Sequence, residues 1–121
     1  MRILGLLKAD KNSEAGAAPT PELMERMGKF IGEITKAGVL RATDGLQPSS
    51  KGKRVRLSKG KITVTDGPFT ESKELIASYA LFEVKTMAEA IEWTKRFLEV
   101  LGEGECELRP IFEASDFPGA R

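Results

Sequence analysis

The stretch Leu75-Ile76-Ala77-Ser78-Tyr79-Ala80-Leu81-Phe82-Glu83-Val84 decides the fold. Read with a period of two, one side carries Ile76, Ser78, Ala80, Phe82 and Val84, and the other Leu75, Ala77, Tyr79, Leu81 and Glu83. Both sides are largely apolar, so a strand here has to be covered on both faces. Immediately downstream, Thr86-Met87-Ala88-Glu89 is spelled like a capping box. Ala90, Ile91, Phe97, Leu98 and Leu101 then continue one helical stripe, with Thr94 on its line and Gly102 as its stop. Residues 105–112 return to alternation, with Cys106, Leu108 and Phe112 on one side. Pro110 donates no ladder hydrogen bond and marks that strand as an edge or a bulge.

Upstream, residues 2–8 form an almost continuous apolar run that suits a central strand. Asp10 to Pro19 is rich in Ala, Gly, Ser, Asn and charge and reads as a loop. Thr20-Pro21-Glu22 supplies a hydroxyl cap, a proline at the first helical position and an acid in the positive first turn. Leu23, Met27, Phe30, Ile31 and Ile34 follow at helical spacing, ending at Gly38. Gly28 and Gly32 each cost that helix roughly 1 kcal/mol against alanine; they read as local tolerance or a tight helix–sheet contact rather than a ligand approach. Val39 to Leu46 resumes as a strand, and residues 53–57 and 61–65 alternate around Ser58-Lys59-Gly60 as a β-hairpin.

With the hairpin set aside as an insertion, the order is β-α-β-β-α-β, an α+β chain of the ferredoxin-like, split-βαβ kind. One domain over residues 1–114 with a loose tail over 115–121 is the expectation. Two helices cover one face of a four-stranded sheet. The second apolar face of 75–84 therefore predicts a homodimer packed sheet against sheet, with pockets between each sheet and its loops.

Composition narrows the chemistry. The chain has 121 residues, 40% hydrophobic and 31% charged, with a formal net charge of +1. That balance gives no reason to expect a nucleic-acid or membrane surface. Six Lys and Arg fall between Lys51 and Lys61, but without interleaved aromatics they read as a solvated hairpin face, not a nucleic-acid contact. There is one cysteine, Cys106, which points to a reducing cytoplasm. Lacking a partner base, it reads as a structural thiol. There is no histidine, which removes the commonest acid–base side chain and the usual transition-metal sites. No metal and no cofactor are expected. The run Ile3-Leu4-Gly5-Leu6-Leu7 is too short for a signal-peptide core or a membrane span.

Asp66-Gly67-Pro68-Phe69, continued by Thr70-Glu71-Ser72-Lys73-Glu74, resembles the YCII-related family, in particular its DGPF-motif branch. Gly45-Leu46-Gln47-Pro48, Ile62-Thr63-Val64-Thr65, Ala90-Ile91-Glu92-Trp93 and Glu107-Leu108-Arg109-Pro110 carry the resemblance over roughly residues 1–113. It implies a dimeric α+β barrel. Some relatives look like small lyases or dehalogenating enzymes, and a His–Asp pair has been proposed for part of the family. Only the aspartate half of such a pair is present here.

Each candidate residue has a chemical and a structural reading. Asp66 is a general base if apolar neighbours such as Phe69 raise its pKa, and a turn cap if its carboxylate accepts backbone N–H bonds. Lys73 holds an anionic ligand group or, with Glu74, pins the turn through ion pairs. Asp44 and Gln47 sit where a strand enters a proline-marked turn, a common place for ligand-facing groups. Tyr79 belongs to a pocket or to the dimer interface. Arg54 reaches an acidic ligand or stays solvated. The sequence thus predicts a cytoplasmic homodimer binding a small polar or anionic molecule beside Asp66, Phe69, Asp44 and Gln47. If it catalyses, Asp66 would drive proton abstraction or elimination, with Arg54 or Lys73 stabilising negative charge. The alternative is a non-catalytic structural or regulatory module in which the motif only fixes the turn.

Overall fold

The computed structural model describes residues 1–119. Six strands form, β1 (Arg2–Lys8), β2 (Leu40–Gly45), β3 (Lys53–Ser58), β4 (Lys61–Asp66), β5 (Ile76–Glu83) and β6 (Cys106–Pro110). With them are three α-helices, α1 (Lys11–Glu14), α2 (Pro21–Lys36) and α3 (Met87–Leu101). Four strands make one sheet in the order β2-β5-β1-β6, antiparallel throughout. The two most apolar runs are its central strands, and Pro110 sits on the edge strand β6, opposite Ile3. This α+β arrangement is compatible with a ferredoxin-like fold.

Both long helices start as their sequences dictate. The Thr20 hydroxyl accepts from the Leu23 N–H at 3.1 Å, and the Thr86 hydroxyl from the Glu89 N–H at 3.2 Å. At α3 the box is offset by one residue, because the Glu89 carboxylate accepts from Lys85 at 3.3 Å and not from Thr86. Phe30, Ile34 and Ala90 pack onto Ile3, Phe82 and Val84, so the even-numbered side of β5 is the inner face. A Cβ on Gly5 would lie 2.9 Å from the Phe82 ring, which is why β1 carries a glycine beneath that phenylalanine.

Neither α2 nor α3 packs on the outer face. Leu4, Leu6, Tyr79 and Leu81 alternate onto it and are half-buried. Ion pairs ring this strip: Arg41 to Glu83 at 3.4 Å, Lys8 to Glu107 at 3.3 Å and Arg2 to Glu113 at 3.0 Å.

Two features differ from the sequence reading. Residues 10–19 contain a helical turn, α1, closed by reciprocal hydrogen bonds of 2.8 Å between Asp10 and Ser13. Four residues without an apolar stripe leave no periodic trace. Beyond Ala114 the chain makes a short 3-10 turn over Ala114–Asp116, and Phe117 packs on Phe112 with ring centroids 4.9 Å apart.

Strands β3 and β4 pair only with each other. Their turn, Lys59-Gly60, has φ of 52° and 77°, the left-handed pair that suits the twist of a two-residue hairpin. Val55 faces Val64 and Leu57 faces Ile62. These four side chains form an apolar stripe, with exposures between 59% and 72%.

Candidate functional site

The Asp66-Gly67-Pro68-Phe69 turn is bolted to two other segments. Glu14, at the end of α1, accepts from the Ser49 N–H at 2.9 Å and also from its hydroxyl. The Ser49 hydroxyl in turn accepts from the Phe69 N–H at 3.1 Å. Gly67 donates to the Gly52 carbonyl at 3.0 Å. A side chain on Gly67 would overlap the Ser49 carbonyl oxygen, so only glycine admits this close backbone approach. The Gly67–Pro68 peptide is cis. Three parts of the chain thus close into a clasp, and Ser49 is its hinge pin.

The clasp borders a shallow cavity of about 580 Å³. Gln47, Ser49, Lys51, Arg54, Phe69 and Glu74 are among its lining residues. The Arg54 guanidinium lies 4.0 Å over the Phe69 ring and pairs with Glu71 at 3.1 Å. The Glu71 carboxyl is held below the usual carboxylate range, first by a backbone hydrogen bond within its own residue and then by Arg54. This wall carries charge of both signs around an aromatic surface.

A second cavity, of about 680 Å³, lies between α2, α3 and the inner face of the sheet. Its walls are mainly apolar, with Leu23 and Met27 from α2, Trp93 and Phe97 from α3, and Leu108 from β6. Gly28 of α2 also borders it, and nothing lies within 4 Å of a Cβ built there. That glycine therefore marks open space rather than a tight helix–sheet contact. Arg96 ties the two helices together, pairing with Glu33 and lying 4.8 Å over the Trp93 ring.

The candidate residues divide among these places. Gln47, Arg54 and Phe69 meet at the clasp cavity. Asp44 and Tyr79 border the core cavity, and their side chains bond at 2.7 Å. That hydrogen bond to the carboxylate, followed by its negative charge, raises the Tyr79 phenol above its ordinary pKa. Asp66 and Lys73 line neither cavity. The Asp66 carboxylate, 75% exposed, pairs with Lys53 across the hairpin at 2.6 Å, while the Lys73 carbonyl accepts from the Lys8 ammonium at 3.4 Å. Cys106 borders the core cavity, and burial pushes its thiol up to about 11.

Sequence reasoning missed Ser49 and Glu14. Their link spans 35 positions, and neither residue type is distinctive alone. It also missed the core cavity. Among the described residues, no group of three or more His, Cys, Asp or Glu could hold a metal ion, and no helix is long and apolar enough to cross a membrane.

An antiparallel α+β sheet with helices on its inner face and loop-bordered cavities defines a class of small α+β domains. Within that class, the YCII-related domain matches residues 1–115, and the chain belongs to the YCII-related family. It is also similar to an uncharacterized protein of Rhizobium meliloti, 30% identical over 80 residues. That match takes in 65% of this chain and 64% of the relative, so the chain spans less than two thirds of the relative's length.

Proposed function

We propose that the protein is a homodimeric small-molecule binder of the DGPF branch, in which a ferredoxin-like unit with an inserted β3–β4 hairpin pairs through its outer sheet face into a dimeric α+β barrel. The ligand is a small polar or anionic molecule at the clasp cavity. The observation that carries this reading is the convergence of Gln47, Lys51 and Arg54 beside the Phe69 ring on one concavity. An acidic group entering there would exchange Glu71 for itself on a guanidinium already oriented by the ring beneath it. The dimer rests on the half-buried apolar strip of the outer face, whose charged rim suits an isologous contact.

Asp66 in this reading is structural. A general base needs a carboxylate within reach of substrate and free of a tight cation, and Asp66 is exposed and paired with Lys53. This favours the module in which the motif fixes the turn, with Gly67 and Phe69 as the residues that matter.

Sedimentation at micromolar concentration should give a dimer, and Leu6→Glu should give monomers. A stable wild-type monomer defeats the dimer. In a thermal-shift screen of small carboxylates, stabilisation should vanish in Arg54→Ala. A turnover lost in Asp66→Asn with folding intact would restore the chemical role.

A further inference from the structure

The core cavity exists because the sequence withholds side-chain volume from one half of the inner face. Toward the α2 N-terminus, the sheet presents Gly45, Ser78 and Ala80, and the helix presents Gly28. At the other end Phe30, Ile34 and Phe82 fill the same layer. The space left is within the usual size of a small-molecule site, roughly 300–1,000 Å³. Unfilled, its walls lose the dispersion contacts that a packed interior supplies.

The polar groups around it are few, and two of its hydroxyls already donate within the protein. The Thr43 hydroxyl donates to the Tyr79 carbonyl at 2.8 Å, and the Thr94 hydroxyl to the Ala90 carbonyl at 2.8 Å. No lysine or arginine is among the lining residues. Asp44, the one acidic residue along the lining, stands opposite Tyr79 in the sheet, and its carboxylate accepts the Tyr79 hydroxyl on the outer face. An anion would meet no counter-charge in this cavity. Exposed Met24 and half-buried Met27 stand along one wall, where flexible thioethers can adjust to an incoming shape.

We propose that the core cavity binds a neutral, hydrocarbon-rich small molecule between the two helices and the sheet. This is a second site, chemically opposite to the clasp cavity and independent of it.

Trp93 is the single tryptophan of the chain and lines the cavity, so its fluorescence reads occupancy. Bromobenzene, a heavy-atom quencher, should quench it saturably. The charged analogue 4-bromobenzoate should quench only weakly and linearly. Ala80→Phe, which fills the floor, and Gly28→Leu, which fills the wall from an exposed helix position, should each weaken bromobenzene binding at least tenfold. Far-UV circular dichroism checks folding, and Gly28→Leu decides the matter if Ala80→Phe does not fold. Linear bromobenzene quenching, unchanged in the folded variant, would overturn the proposal. So would saturation by 4-bromobenzoate at equal or lower concentration. Arg54→Ala should leave bromobenzene binding unchanged, which separates a failure here from a failure at the clasp.

Discussion

The two cavities are made by opposite means. The clasp cavity is framed by polar bonds among Glu14, Ser49, Phe69, Arg54 and Glu71, and much of its wall faces solvent. The core cavity is framed by packing and exists where Gly45, Ser78, Ala80 and Gly28 leave space unfilled. A site held by directional bonds fails when one bond is removed. A site held by absent volume fails when volume is added. The same chain therefore carries one cavity sensitive to deletion and another sensitive to insertion.

The strongest way to blur that distinction is to remove wall from the core. Ile34 is 2% exposed and belongs to both the hydrophobic core and the cavity lining. Ile34→Ala should lower stability by about 2–5 kcal/mol in a denaturant melt, with the clasp geometry unchanged. Next is Gly67→Ala, whose Cβ would overlap the Ser49 carbonyl oxygen. Forcing that approach apart should cost on the order of 1–3 kcal/mol and remove carboxylate binding, while Trp93 still reports bromobenzene in the core. Loss of both signals would mean that the two sites are not independent.

A subtler separation comes from Cys106. Its thiol is raised from 9.0 to about 11, by burial first and then by the Glu105 charge. The thiolate is the species that alkylates, so iodoacetamide labelling at pH 8.5 should be roughly a hundredfold slower than for an ordinary thiol. A raised pKa means that folding favours the neutral thiol. That contribution is fully present below about pH 9 and is lost as pH rises through about 11. Labelling at an ordinary rate would mean that the core side of β6 is open to water. The smallest effect belongs to Asp66→Asn, which breaks an exposed pair with Lys53. It should change stability by no more than about 1 kcal/mol and leave both cavities occupied as before.

The sheet was legible because its evidence is local. The two-sided apolar pattern of 75–84 and the run at 2–8 announce central strands, and Pro110 announces an edge. The helices were legible from their caps and their 3.6-residue stripes. The clasp was legible only at one end. Gly67-Pro68 specifies a turn, but nothing in the spelling of Ser49 or Glu14 says that they will meet it. The core cavity has no local signal at all. Gly28, Gly45, Ser78 and Ala80 are ordinary small residues in three separate stretches, and only the fold lays their missing volumes side by side.

The β3–β4 ribbon bears on how the protein behaves as a solute. Six positive charges between Lys51 and Lys61 share this segment with four bare aliphatic side chains. Electrostatic repulsion between ribbons keeps those side chains apart in dilute buffer. At molar salt the Debye length shrinks to about 3 Å, and sulfate strengthens apolar contact at the same time. The ribbon thus converts ionic strength into stickiness, and it is where salting-out begins.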